Sequence, residues 1–281
     1  MPVENHPSSD TLEPSPDQIA AIQALTSEMM RFCGPIFIAP GLETWPAQMI
    51  DNGTYSLLDT GKRYLLVTCH HVWQAYLNEF AVNQETVLCL NLGDGECSIA
   101  FAHPERQLIA DNPELDLAVF EFEPSTLKIE KTMLEHQKEW FRIRNWPIAK
   151  PVEGDTIALM GFPGKRIQKD GRLCTFNTQL LPLGISGVGH DKIYIFNDSE
   201  NAEVFANIHG WLGGLSGSPA YTLQEDGAAL VGFVKSGYKP DKESAKGSAE
   251  SPFFGTLILT PAAFLQPDGT LKAPPTVTYL V

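Results

Sequence analysis

Gly213-Gly214-Leu215-Ser216-Gly217-Ser218-Pro219 reads as a tight turn that presents one serine hydroxyl and is closed by a proline. Glycines around a serine suit a nucleophile turn, which needs backbone conformations and a close substrate approach that a side chain would block. Such a turn can aim the amides of Gly214 and Ser216 the same way and form an oxyanion hole. Small-residue surface turns share this composition, so the decision between them rests on what lies upstream.

A serine hydroxyl is a poor nucleophile at neutral pH and needs a base to take its proton. The base needs a third group to fix its tautomer and stabilise the imidazolium. His71 follows an apolar run in Val67-Thr68-Cys69-His70-His71-Val72 and is expected to close a buried strand. Asp116 is expected to open another, Leu115-Asp116-Leu117-Ala118-Val119, where a carboxylate without a partner is costly to bury. An imidazole N–H would supply that partner. His70 is the alternative base, and Asp111, in a polar loop expected over 111–116, is the alternative acid. His103, His136, His190 and His209 match no zinc spacing, so no metal or cofactor is expected.

Around these residues the hydrophobic pattern is mostly of strand type. Asp17 can cap a helix running to about Arg31, with Ile19, Ile22, Leu25 and Met29 on one face. Strands are expected at 36–38, 55–58, 64–68, 87–92, 97–102 and 117–122, with a helical turn at 72–77 and a turn at Gly93-Asp94-Gly95. The charged stretch 123–150 reads as a linker, with a helix around Thr132–Trp140. A second set of strands follows at 156–162, 173–182, 192–196, 228–236 and 256–260, and 240–251 is a polar loop. About six strands in each half suffice for two small barrels. No helical period is long enough for crossover helices, which argues against a parallel α/β sheet.

These strings resemble those of the trypsin-like (chymotrypsin-fold) serine peptidases. Thr68-Cys69-His70-His71 is similar to the family's Thr-Ala-Ala-His, residues 116–119 to Asp-Leu-Ala-Val, and residues 214–219 to Gly-x-Ser-Gly-Ser-Pro. Gly161-Phe162-Pro163-Gly164 resembles the Gly-Tyr-Pro-Gly segment of bacterial and intracellular members, and the order His71, Asp116, Ser216 is the family's own. The resemblance covers about 34–262. It implies an all-β fold of two six-stranded antiparallel barrels with the site between them. The first barrel would span about 34–122, the linker 123–150 and the second barrel 151–262. They would be preceded by a disordered tail and short helix over 1–33 and followed by a C-terminal tail over 263–281.

The resemblance also implies roles. Ser216 is the nucleophile, His71 the base and then the acid, Asp116 the group that orients it, and Gly214 and Ser216 supply the oxyanion amides. Gly210 falls at the floor of the substrate pocket, with Lys235 and Gly237 on its wall. No carboxylate is expected there, which points to an uncharged residue before the cut. Lys235 departs from the small polar residue usual in the family and is expected either to pair with Asp116 or to turn outward to an acidic substrate. No counterpart of the Ile-Val-Gly-Gly start of activated secreted members is expected, nor is a C-terminal peptide-binding domain.

Composition bounds the rest. A net charge of −14 argues against a sequence-independent nucleic-acid binder, whose phosphate contacts need Lys and Arg. Five cysteines without Cys-x-x-Cys pairs, two of them in apolar runs, fit a reducing cytoplasm. No signal peptide is expected, and no run reaches the length of a membrane span. The function expected is therefore that of a cytoplasmic serine endopeptidase acting on a protein or peptide substrate, with a regulatory partner protein to restrain it. The competing readings are an inactive binding or scaffold module on the same fold, and an esterase with the same nucleophile.

Overall fold

The computed structural model describes residues 16–41, 49–92, 98–101, 103–122, 127–162, 167–170, 173–176, 179–196, 214–224, 227–238 and 256–274. Its first half forms β1 (Cys33–Ala39), β2 (Asp51–Asp59), β3 (Tyr64–Thr68), β4 (Val87–Asn91), β5 (Ser98–Ala100), β6 (Leu108–Asn112) and β7 (Leu117–Glu121). They hydrogen-bond in the order β5-β4-β1-β2-β3-β7-β6 as antiparallel neighbours, and a short β8 (Phe141–Arg142) runs parallel to β2.

The second half forms β9 (Thr156–Gly161), a separate hairpin of β10 (Ile167–Asp170) and β11 (Leu173–Phe176), then β12 (Gln179–Gly184), β13 (Gly187–Val188) and β14 (Ile193–Phe196). After the serine turn come β15 (Pro219–Gln224), β16 (Gly227–Tyr238) and β17 (Thr256–Pro261). The second sheet is ordered β12-β9-β15-β16-β17-β14-β13 and is antiparallel throughout.

The chain is thus all-β and two-lobed. The sheets hold eight and seven strands rather than six each. β6 overlaps the stretch that read as polar loop and is made strand by its hairpin partner β7, whereas β8 lies in the expected linker and pairs with β2, far away in sequence. Helices are few: α1 (Pro16–Met30), α2 (His70–Val82), α3 (Pro104–Gln107) and α4 (Leu127–Glu135). The helix expected around Thr132–Trp140 is α4, which starts and ends earlier. Among the described residues no helix is long and apolar enough to cross a membrane.

β3 explains its own unbroken apolar run. Leu66 faces the interior of the first sheet with Ile36, Tyr55, Leu57 and Trp73. Leu65 and Val67 face the other way, into a core shared with Met160, Tyr221 and Phe233 of the second sheet. A strand buried on both faces shows no polar alternation. The shared core also takes Met29 from α1, and a third cluster, including Ile157, Leu159, Val231 and Leu257, fills the second sheet.

α1 is tied to this body by a buried cation. Lys138, 7% exposed, donates from Nζ to the carbonyls of Met30 (2.7 Å) and Cys33 (2.5 Å). The ammonium thereby satisfies the carbonyl of Met30, left without an intrahelical partner at the C-terminal end of α1, and joins it to the first residue of β1.

Candidate active site

His71 does not close a strand: β3 stops at Thr68, and His71 is the second residue of α2. The apolar positions Val72, Trp73 and Tyr76 recur at helical spacing and are all buried, which extends the expected single turn to thirteen residues. Asp116 does not open β7 but sits just before it, with φ +55°. A non-glycine residue in that left-handed region is uncommon and has to be held there. Asp111, expected in a loop, lies on β6 opposite Ala118 of β7.

The structure brings His71, Asp116 and Ser216 together. His71 Nδ1 lies 2.8 Å from Asp116 Oδ2, and the His71 backbone N–H donates to Asp116 Oδ1 at 3.0 Å. On the other edge of the ring, Nε2 lies 2.8 Å from Ser216 Oγ. An ionised carboxylate only accepts, so Nδ1 carries the proton and Nε2 is left free to accept from the serine. The imidazole is 49% exposed and the Asp116 side chain only 10%, so the ring is open to solvent while the carboxylate sits behind it. The alternative pair is also formed, but with each other: His70 Nδ1 lies 2.5 Å from Asp111 Oδ1.

The serine turn is stitched to the first sheet by donors on β2, one of which is itself braced from β3. Thr54 N–H donates to the Ser216 carbonyl (2.8 Å) and Thr54 Oγ1 to the Gly214 carbonyl (2.7 Å). Ser56 Oγ donates to the Gly217 carbonyl (3.1 Å), Ser218 Oγ to Thr54 Oγ1 (3.2 Å) and Thr68 Oγ1 to the Thr54 carbonyl (2.9 Å). From the second sheet, Val234 takes the Gly217 N–H on its carbonyl and donates its own N–H to Ser218, both at 2.9 Å. Gly214 and Gly217 have φ of +96° and +87°, which explains glycine at both places. Among the described residues, the N–H groups of Gly214 and Ser216 donate to no backbone carbonyl.

Two residues near the triad escaped sequence reasoning. Cys69 resembled a small buried hydrophobe, yet its Sγ lies within 4.8 Å of ligand atoms of His71 and Asp116. It donates to the Val234 carbonyl at 3.0 Å. Burial, then the Asp116 charge, pushes its pKa well above the usual thiol range, so it stays a neutral donor and is a poor metal ligand. Thr260, buried on β17, donates from Oγ1 to the Leu115 carbonyl, immediately before Asp116. A hydroxyl at the end of an apolar strand carries no local signal of such a partner.

Lys235 turns to neither of its expected partners: its ammonium donates to the backbone carbonyl of Glu114. Gly237 lies on β16, and Gly210 lies outside the described residues, as do His209 and Trp211. A cavity of about 460 Å³ opens elsewhere, between α1 and the 139–144 segment, and no triad residue lines it.

The sequence matches no family model and no curated protein. Among solved structures the chain is similar to a thermostable serine protease, AL20, from an extremophilic microorganism. The identity is 12% and the TM-score 0.46, over 84% of this chain and 92% of that one. It is also similar to Deg5, with 16% identity and a TM-score of 0.45 over 80% of this chain and 88% of that one.

Proposed function

We propose that the protein is a serine endopeptidase that hydrolyses peptide bonds through an acyl-enzyme. The observation that carries this reading is the unbroken chain from Asp116 through His71 to Ser216, with each imidazole nitrogen 2.8 Å from its partner. Ser216 Oγ attacks the carbonyl carbon of the scissile bond while His71 Nε2 takes its proton. Asp116 stabilises the imidazolium without itself becoming protonated. The amides of Gly214 and Ser216 receive the oxyanion. His71 then returns the proton to the leaving amine. Water, deprotonated by the same nitrogen, next attacks the ester carbonyl on Ser216 and releases the second product.

The pocket reading is a preference for an uncharged residue before the cut. Gly210 offers no carboxylate for a Lys or Arg side chain, and the Lys235 ammonium is engaged by the Glu114 carbonyl rather than left for an acidic one. The thiols of Cys33, Cys69 and Cys89, free and buried, support a reducing cytoplasmic setting, in which a partner protein would restrain the peptidase.

The test is turnover of an unfolded protein such as β-casein, compared between wild type and Ser216→Ala. Cleavage by wild type alone supports the reading, and the cut sites report the residue preceded by the pocket. Ester turnover without any protein cleavage would make the protein an esterase. Neither activity would make it a binding module.

A further inference from the structure

We propose that Lys235 and Thr260 are positioning residues for the acid of the triad: by binding the carbonyls of Glu114 and Leu115, they hold the turn that presents Asp116 to His71. The inference rests on the hydrolytic reading; it gives Lys235 a role other than the pocket-wall one expected and adds Thr260, which no string in the sequence marks.

Asp116 is reached through a turn in which Asn112 Oδ1 accepts the Leu115 N–H at 2.9 Å. It then adopts φ +55°, which a side-chain-bearing residue keeps only where its surroundings over-determine it. The two residues before it are each gripped at the carbonyl from the second sheet: Glu114 by Lys235 of β16, Leu115 by Thr260 of β17. His71 and Asp116 belong to the first half of the chain, so their alignment is set by donors from the other lobe.

The backbone of β16 is shaped for this. Val234 pairs with Leu259 and Ser236 with Ile258, so the register shifts between them and Lys235 is the extra residue. A bulge leaves its extra residue out of the ladder and re-aims its side chain, here across the lobe boundary. The neighbouring Val234 holds the nucleophile turn through Gly217 and Ser218, and its carbonyl takes the Cys69 thiol. Two consecutive residues of β16 therefore hold the turns that carry Ser216 and Asp116. A lysine is suited to the task because its long stem spans the gap and its ammonium makes a charge-assisted bond to a carbonyl.

The experiment measures the rate of inactivation by diisopropyl fluorophosphate for wild type, Lys235→Met, Lys235→Arg and Thr260→Val. Melting temperature and the low-field proton resonance of His71 Nδ1–H bonded to Asp116 are followed alongside. Lys235→Met is expected to slow inactivation roughly 10- to 100-fold, as small misplacements of catalytic groups do. It should also shift or abolish the resonance, and Lys235→Arg should restore most of both. Thr260→Val is expected to act in the same direction and reads the same turn should Lys235→Met not fold. Wild-type rates with an unchanged resonance in both Lys235→Met and Thr260→Val would overturn the proposal. Were wild type itself unreactive, the hydrolytic reading would fall instead, and the resonance would still decide whether Lys235 and Thr260 hold Asp116.

Discussion

His70 and Asp111 form a second histidine–carboxylate pair beside the first, 2.5 Å apart at Nδ1 and Oδ1. Two adjacent histidines of α2 thus reach two carboxylates of the β6–β7 hairpin, and only His71 continues to a serine. The two pairs should behave differently on deletion. His71→Ala is expected to lower activity roughly 10⁴-fold or more, as loss of a triad base does. His70→Ala removes a partly exposed pair worth about 0.2–1 kcal/mol and should retain most of the activity. Rates of β-casein cleavage by the two variants check this, and an inactive His70→Ala beside an active His71→Ala would reverse the assignment.

Acid should silence the protein for the same geometric reason. The Nε2 atom facing Ser216 must be unprotonated to accept the hydroxyl proton. Activity is therefore expected to be lost in acid, where a proton occupies Nε2, and to recover on return to neutral pH if folding persists. A pH–rate profile that stays flat into strong acid would require a different base.

Much of this site was legible because its signals are local. The run Tyr64–Thr68 is a strand whose limits match the expected ones, since both its faces are buried. The glycines around Ser216 mark a turn by conformation alone, and the structure places φ values of +96° and +87° there. What was not legible depends on pairing that local composition does not report. Thr54 and Ser56 look like ordinary strand hydroxyls, and their partners in the serine turn lie more than a hundred residues away. Asp111 looked like loop because polar residues flank it, yet pairing with Ala118 makes it strand. For Lys235 a bulge decides the direction of the side chain, and a bulge leaves no local sequence signal.

The buried thiols give a second pH dependence, opposite in sign. Burial pushes Cys33 and Cys89 up to about 12 from an ordinary 9.0. A thiol whose pKa is raised on folding contributes stability that is complete below pH 9.0 and is lost as pH rises towards about 12, because the unfolded chain releases the proton first. Iodoacetamide at pH 8 is therefore expected to leave Cys33, Cys69 and Cys89 unmodified in the folded protein and to alkylate them in urea. Peptide mass mapping checks this residue by residue.

Lys138 offers a test of how α1 is held. Lys138→Met keeps the stem and removes the ammonium, leaving the carbonyls of Met30 and Cys33 without that donor. A hydrogen bond to a charged group is worth about 1.5–3 kcal/mol, and a loss of stability of that size is expected in urea denaturation. A variant of unchanged midpoint would show that the ammonium contributes nothing net.

Gly217 should tolerate no side chain. Its φ is +87°, and a Cβ there would overlap the Thr54 carbonyl oxygen and press on Thr68 Oγ1. Gly217→Ala is expected to cost about 1–3 kcal/mol from backbone strain alone and to displace Ser216. Thermal unfolding together with casein cleavage measures both effects, and a stable, fully active variant would contradict the account of the turn.

The most direct measurement is covalent labelling of the folded protein with a fluorophosphonate, followed by peptide mapping of the adduct. The Oγ of Ser216, 2.8 Å from His71 Nε2, is predicted to be the labelled atom. Labelling should disappear in Ser216→Ala and fall steeply in His71→Ala. Absence of any adduct in the folded wild type, or an adduct on Ser218 with Ser216 untouched, would contradict the assignment of Ser216 as the nucleophile.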